Sequence, residues 1–243
     1  MRIPKIIHQL WKDESVPARW QSAADSVRRY HKEWEYRLWT DAEMMQHVEV
    51  NHADFLPLFM GMNRHIMRVD VFRYILMHDF GGLYCDLDYE FVRPYDYGDS
   101  EVVLTLEYDT VYGDSHNQVA NYMFASVPQH SLWKDIIADV RADPPYAATP
   151  ADVCVVTGPT LITRVYFQNC HRYSGVALTP KPVFSPRRVH GRYERKFYIN
   201  SGITYGFHHG WGSWRDRWTL GYVRSRLAKL AQRTPLLRRL QAR

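Results

Sequence analysis

The stretch that decides the fold lies at residues 81–91. It reads Gly81-Gly82-Leu83-Tyr84-Cys85-Asp86-Leu87-Asp88-Tyr89-Glu90-Phe91. Polar and apolar residues alternate after the glycine pair, which predicts a strand with Tyr84, Asp86, Asp88 and Glu90 on one side. The preceding residues 63–80 are nearly free of helix breakers and carry apolar side chains at helical spacing. We therefore expect a helix that ends at the glycines and leads into a buried strand.

Strands and helices alternate on both sides of this junction. Thr40 followed by Glu43 has the form of a capping box and predicts a helix start. The other predicted elements are strands at residues 3–11, 34–39, 102–106 and 121–126 and helices at 20–30 and 130–141. Such alternation favours an α/β domain with a largely parallel sheet.

The composition is that of a globular protein. The 243 residues are 46% hydrophobic and 23% charged, which excludes disordered and fibrous chains. There is no run of about 18 apolar residues, so neither a membrane-spanning helix nor a signal peptide is expected. The three cysteines, Cys85, Cys154 and Cys170, show no metal-ligand spacing. A cytoplasmic location is the expectation from these features.

Asp86 and Asp88 are the first candidate site residues. One residue separates them, which in a strand places both carboxylates on the same side, roughly 6.6 Å apart along the backbone. That spacing suits a divalent cation held by one carboxylate directly and by the other through water, with phosphate oxygens as further ligands. A turn or a solvated strand edge is the simpler explanation of such a pair, but open α/β sheets bind ligands at junctions of this kind.

Asp70 and Arg73 are the second candidate pair. They are three residues apart on the predicted helix and so share a face, among otherwise apolar residues. A structural ion pair at the edge of the core and a pair of site residues explain this spacing equally well.

Several stretches of the chain together resemble the signature of the glycosyltransferases of the family 32 type, which contain a DXD motif. They lie at residues 3–11, 69–74, 81–88 and 208–214. The resemblance implies a GT-A (Rossmann-like) single-domain fold over residues 1–214 that uses a nucleotide sugar with Mn²⁺ or Mg²⁺ and retains the anomeric configuration. Val69 departs from the family pattern, which commonly has a small residue there.

The resemblance also implies roles for individual residues. Trp11 would stack on the nucleobase, Asp70 and Arg73 would hold sugar hydroxyls, and Tyr84 and Asp86 would contact the ribose and diphosphate. Asp88 would bind the metal, with His208 or His209 as a further ligand, and Ser213 and Trp214 would lie near the leaving group. Asn121 occupies the position of a frequent site asparagine, although a strand-end Asn that satisfies backbone groups is equally consistent. The implied catalytic residues are Asp70, Arg73, Asp88 and Trp214.

The charge of the chain is concentrated at its end. Residues 215–243 hold nine Lys and Arg against Asp216, a net charge of +8, which leaves residues 1–214 at −3. The apolar residues of this tail recur at helical spacing, so it is predicted to be a basic amphipathic helix. It either packs on the body or binds an anionic membrane surface, which would make the protein peripheral at the inner face of the membrane. Nucleic-acid binding rests on the tail alone and is not expected.

The expected function is metal-dependent, retaining transfer of a hexose from a UDP- or GDP-linked sugar to a glycan or lipid-linked glycan, forming an α-glycosidic bond in polysaccharide biosynthesis. One alternative is a metal-dependent phosphohydrolase that uses Asp86 and Asp88 as nucleophile and acid. That class usually has a strongly apolar strand before the pair, and here Gly81-Gly82 precedes it. Another alternative is a non-catalytic module that binds a nucleotide sugar.

Overall fold

A computed structural model describes residues 2–186 and 192–211, without the side chains of residues 192 and 193. The described residues up to 210 form one compact unit. Ser213, Trp214 and the basic tail at 215–243 lie outside the described residues. The strands are β1 Ile6–Leu10, β2 Glu35–Trp39, β3 Gly82–Cys85, β4 Tyr89–Phe91, β5 Val102–Tyr108, β6 Gln118–Ser126, β7 Val176–Thr179 and β8 Gly206–His208. The helices are α1 Ala18–Tyr30, α2 Asp41–Asn51, α3 Leu56–Gly61, α4 His65–Asp79, α5 Ser131–Ala142, α6 Pro150–Val156, α7 Pro159–Asn169, α8 Lys181–Phe184 and α9 Arg192–Asn200.

The main sheet has six strands in the order β2-β1-β3-β6-β5-β7. Neighbours β2/β1, β1/β3 and β5/β7 are parallel, whereas β6 is antiparallel to both β3 and β5. The α/β class and the largely parallel sheet are both confirmed, since five of the six strands run in the same direction and β6 alone is reversed. Residues 109–117 are too short a link for a parallel crossover, which needs a dozen or more residues, so β6 returns antiparallel beside β5.

The core lies on both faces of this sheet. Alternate side chains of β6 enter different clusters: Phe124 packs with Tyr74 and Trp133 on one face, whereas Met123 and Ala125 belong to the cluster on the other. This is the period of two expected of a strand buried on both sides. Among the described residues, no helix combines the length and hydropathy that crossing a membrane requires.

The junction at the glycine pair is confirmed. Helix α4 ends at Asp79, and Gly81 and Gly82 follow with φ of 66° and 85°, in the left-handed region. A Cβ on Gly82 would lie 2.4 Å from the carbonyl oxygen of Ile6. The second glycine therefore lets β3 approach β1 closely enough to pair with it. The predicted capping box at Thr40 is also present, with Glu43 as its partner.

The prediction of one continuous strand through residues 83–91 is wrong. Strand β3 ends at Cys85, and Asp86, Leu87 and Asp88 form a turn in which the N–H of Tyr89 donates to the carbonyl oxygen of Asp86 at 2.9 Å. The chain then enters β4, which pairs with β8 in a separate two-stranded sheet. Alternation is the same in one long strand and in two short strands joined by a turn, so the pattern could not distinguish them.

Candidate functional site

Asp86, Asp88 and His208 converge at the end of β3. The ligand atoms of these three residues all lie within 4.8 Å of one another. Nε2 of His208 is 3.3 Å from Oδ1 of Asp88 and 4.0 Å from Oδ2 of Asp86. Pairing of β4 with β8 sets Tyr89 opposite His208 and thereby brings this histidine to the acidic turn.

The structure distinguishes between the two neighbouring histidines. The ring of His208 stacks on Tyr122, with centroids 3.8 Å apart. His209 instead places Nε2 at 2.9 Å from Oε2 of Glu90, whose other oxygen accepts from Arg195. His208 is therefore the histidine that lies with the acidic pair.

Asp70 and Arg73 lie beside this cluster, buried at 3% and 5% exposure. The Nη2 atom of Arg73 is 3.3 Å from Oδ1 of Asp70 and 3.4 Å from Oδ1 of Asp86. Oδ1 of Asp86 also accepts a 2.6 Å hydrogen bond from the hydroxyl of Tyr84. Arg73 thus joins the acid on α4 to the first acid of the turn.

Asn121 contacts both members of that pair. Its side-chain amide donates to Oδ1 of Asp70 at 3.1 Å, and its backbone carbonyl accepts from Nη1 of Arg73 at 2.7 Å. The other oxygen of Asp70 accepts from the hydroxyl of Thr157 at 3.1 Å. In the sequence, Thr157 directly precedes Gly158-Pro159, a turn signal that does not indicate a partner for Asp70, 87 residues away.

Charge is incompletely balanced in this site, because one guanidinium faces the buried carboxylate of Asp70 and the partly buried carboxylate of Asp86. Burial raises the pKa of Asp70 to about 7, against the opposing effect of Arg73. Burial also raises the pKa of Asp86, and the charge of Asp88 adds to that effect. Burial acts to lower the pKa of His208, but the hydrogen bond to Asp88 and the charges of both aspartates outweigh it and raise the pKa.

These donors fit a divalent cation. Carboxylate oxygens suit Mn²⁺ and Mg²⁺, and an imidazole nitrogen is acceptable to Mn²⁺ as a transition metal. Two carboxylates and one imidazole leave positions for diphosphate oxygens and water. Because the turn supplies both acids and β8 supplies the histidine, the ligands come together only in the folded chain.

Trp11 and Tyr84, which are also predicted to contact the nucleotide sugar, both contact other groups of the protein in this structure. Trp11 follows β1 directly, packs edge-on against Trp20 at 4.3 Å between centroids and donates its Nε1 hydrogen to the carbonyl of Ser15. Its stacking on a nucleobase stays a prediction. Tyr84 is 1% exposed, and its hydroxyl is directed at Asp86. In this structure Tyr84 positions Asp86, and its contact with a ribose or diphosphate stays a prediction.

Comparison with known proteins adds independent findings. Residues 17–104 match a family described as glycosyltransferase sugar-binding region containing DXD motif. Inositol phosphoceramide mannosyltransferase 1 of Schizosaccharomyces pombe is 30% identical over 89% of this chain and 66% of its own length. Mannosyl phosphorylinositol ceramide synthase SUR1 of Saccharomyces cerevisiae is 28% identical over 68% of this chain and 42% of its own.

The chain thus spans between about two fifths and two thirds of the length of these two curated relatives. Among solved structures, the PaToxG glycosyltransferase matches with a TM-score of 0.49 at 11% identity, over 69% of each chain. A glycosyltransferase involved in glycosylation of the major capsid of PBCV-1 matches with a TM-score of 0.42 at 9% identity, over 85% of this chain and 94% of its own.

Proposed function

Because this chain belongs to the family of glycosyltransferases whose sugar-binding region contains a DXD motif, we propose that it transfers a hexose from a UDP- or GDP-linked sugar to an acceptor hydroxyl. The names of the curated relatives favour mannose as that hexose. The observation that carries the proposal is the convergence of Asp86, Asp88 and His208 next to the buried pair Asp70 and Arg73.

Asp86, Asp88 and His208 would hold Mn²⁺ or Mg²⁺. When bound, the cation neutralises the charge that develops on the departing nucleoside diphosphate. This charge is the main electrostatic demand of glycosyl transfer. Tyr84 and Arg73 hold Oδ1 of Asp86, which leaves Oδ2 on the side of His208. This arrangement orients the carboxylate before any ligand arrives.

Asp70 and Arg73 would bind the sugar. A carboxylate accepts and a guanidinium donates, so a neighbouring pair of this kind can hold adjacent hydroxyls of a hexose. Asn121 and Thr157 fix both oxygens of Asp70 and restrict the orientation of its side chain. Because Arg73 also contacts Asp86, the sugar and the diphosphate would be held by one connected set of side chains.

We further propose that the reaction retains the anomeric configuration. The bond between the anomeric carbon and the phosphate oxygen breaks, the bond to the acceptor oxygen forms on the same face, and the acceptor proton passes to the leaving diphosphate. Glu90, the next acid along the chain, is engaged by Arg195 and His209, which speaks against it as a free nucleophile. An α-linked donor would then give an α-linked product.

The acceptor class is a glycan or a lipid-linked glycan. The curated relatives are named for inositol phosphoceramide and mannosyl phosphorylinositol ceramide, which favours an acceptor carried on a lipid. The basic tail at 215–243 would place the enzyme at an anionic surface where such acceptors lie.

The proposal is tested with a panel of UDP- and GDP-sugars in the presence of Mn²⁺. We expect one nucleotide sugar to raise the thermal midpoint and to be hydrolysed slowly without acceptor. Asp88→Asn should lower that turnover by roughly two orders of magnitude or more. The matched control is Asp99→Asn, because the side chain of Asp99 is 95% exposed and faces Arg2.

Other outcomes would identify a different activity. Turnover of a simple phosphate ester without binding of any nucleotide sugar would replace the proposal with a phosphohydrolase. Metal-dependent binding of one nucleotide sugar without transfer or hydrolysis would indicate a binding module. Once an acceptor is found, the configuration of the product determined by NMR tests retention.

A further inference from the structure

A second group of metal-ligating side chains lies outside the site described above. It consists of His47 on α2, His52 directly after that helix and Asp79 at the end of α4, with all three ligand atoms within 4.8 Å of one another. The group shares no residue with the Asp86, Asp88 and His208 cluster. We propose that His47, His52 and Asp79 bind a transition-metal ion of the Zn²⁺ or Co²⁺ type.

Two histidines and one carboxylate that meet at one point are a common set of three protein ligands for a transition metal. Nε2 of His47 and Nε2 of His52 each lie 2.7 Å from the same oxygen, Oδ2 of Asp79. Ligands at zinc distances of about 2.1 Å in a tetrahedron are roughly 3.4 Å apart, so each nitrogen must move outward by about 0.7 Å to admit the ion. The side chains are 11% to 17% exposed, which gives the ion a path from solvent.

The type of ligand selects the class of ion. Imidazole nitrogens favour Zn²⁺, Co²⁺, Ni²⁺ and Cu²⁺ over Mg²⁺ and Ca²⁺, which prefer sites made of oxygens. Three protein ligands leave a fourth position for water. The two groups of potential metal ligands found among the described residues therefore differ in preference, since Asp86, Asp88 and His208 offer two carboxylates and one imidazole and this group has the reverse ratio.

The surroundings hold the first imidazole in place. The ring of His47 contacts the aromatic rings of Trp39, Phe72 and Phe80, with centroids 5.3 Å to 5.8 Å away. The amide nitrogen of Asn51 lies 3.2 Å from Nδ1 of His47. When Nε2 binds a metal, Nδ1 carries the hydrogen and donates it, so the amide of Asn51 would have to turn its oxygen toward Nδ1. The site also lies at the C-terminal end of α4, where the helix dipole favours a cation.

An ion here would connect α2 to the end of α4. Asp79 is two residues before Gly81, and the chain continues directly into β3 and the acidic turn. Binding would therefore stabilise the junction that supports the first site without adding a ligand to it. A hydrogen-bonded His-Asp-His group without any metal is the rival explanation, and metal titration distinguishes the two.

The test uses the full chain and the metals themselves, Co²⁺ and Zn²⁺. We expect wild type to bind two equivalents and Asp88→Asn, which damages the first site, to keep one. Adding His52→Gln to Asp88→Asn should weaken that remaining binding by roughly tenfold or more and remove the visible Co²⁺ absorption of a nitrogen-rich site. The matched control adds His65→Gln instead, since His65 is a half-exposed histidine paired with Asp41, and should leave binding unchanged.

A second measurement guards against a variant that fails to fold. In Asp88→Asn alone, Zn²⁺ should raise the thermal midpoint and the rise should saturate at one equivalent. Absence of Co²⁺ and Zn²⁺ binding in that variant, or binding that survives His52→Gln with the fold intact, would overturn the proposal. Neither result depends on a nucleotide sugar, so failure here is separate from failure of the proposed transferase activity.

Discussion

At the scale of single residues, Arg73 has the central position in the candidate site. Its guanidinium lies 3.3 Å from Asp70, whose side chain is buried, and 3.4 Å from Asp86, whose side chain is partly buried. Arg73 does not fully offset the loss of water around these two carboxylates, so the pKa of each is raised. The site is thus prepared for additional positive charge, and a bound divalent cation would supply it.

The same charge imbalance predicts the pH dependence of metal binding. The pKa values of Asp86 and His208 are both raised, so both side chains take up protons at a higher pH than usual, and each proton competes with the metal. We expect Mn²⁺ affinity to fall as the pH is lowered from 8 to 6, with protons released on binding. Calorimetry in buffers of different ionisation enthalpy measures this release, and equal affinity at both pH values would contradict it.

Thr157 offers a prediction about stability. Thr157→Val removes a hydrogen bond to Asp70 and should lower the free energy of unfolding by about 1–3 kcal/mol at pH 8. The native pKa of Asp70, about 7, exceeds its unfolded value, so its contribution to stability is fully present below about pH 4 and is lost as the pH rises through 7. The lost hydrogen bond raises that pKa further, so the variant should be affected less at pH 5 than at pH 8.

Urea unfolding at both pH values measures the effect of Thr157→Val. Thr105→Val is the matched control, because the hydroxyl of Thr105 is buried and has no hydrogen-bond partner among the described residues. Its replacement should be neutral or slightly stabilising. A penalty for Thr157→Val that is the same at both pH values would show that Asp70 does not cause it.

At the scale of elements, the connection from α4 to β3 positions the site. Helix α4 carries Asp70 and Arg73, and β3 leads into the acidic turn. Gly81 and Gly82, at the junction of the helix and the strand, therefore set the distance between this pair and the turn. The backbone of Gly82 has φ of 85° and lies against Ile6 on β1. Close pairing of β3 with β1 therefore depends on the absence of a side chain here.

Gly82→Ala should lower the stability of the protein far more than Gly113→Ala, although both glycines have nearly the same φ. Gly113 has φ of 86° and open space around its Cβ position, so Gly113→Ala should cost about 1 kcal/mol in conformational strain. Gly82→Ala adds a collision with the backbone of Ile6 and should cost several kcal/mol or prevent folding. Thermal unfolding compares the two variants, and equal penalties would contradict the steric explanation.

At the scale of the whole molecule, charge is divided between a slightly acidic body and a basic tail. Residues 215–243 carry a net charge of +8, enough for salt-sensitive attraction to anionic lipid. Their helical pattern predicts membrane association or packing on the body, and this alternative stays open. The distinction matters because a lipid-linked acceptor requires the enzyme to reach a membrane surface.

Replacing Arg224, Arg226, Lys229 and Arg233 together by Gln tests the tail in the full chain. We expect wild type to co-sediment with phosphatidylserine vesicles at low salt and the variant to lose most of this binding, since each basic residue near the surface contributes about 1 kcal/mol. Mn²⁺ binding should be unchanged. Vesicle binding that is insensitive to both salt and the substitutions would exclude an electrostatic attachment.

The sequence by itself determined the elements and their class. Alternation and helical periodicity located β5, β6, α4 and α5 to within a few residues, and the capping box at Thr40 located the start of α2. These signals depend on near neighbours in the chain. The candidate residues Asp70, Arg73, Asp86 and Asp88 were found from local spacing and from motif resemblance.

Tertiary structure alone decided how these residues meet. The direction of β6, the turn at residues 86–88 and the choice of His208 over His209 depend on strand pairing between distant segments. Thr157 reaches Asp70 across 87 residues, and His47 and His52 reach Asp79 in the same way. Local patterns carry no information about such contacts, because they arise from packing of complete elements around a common core.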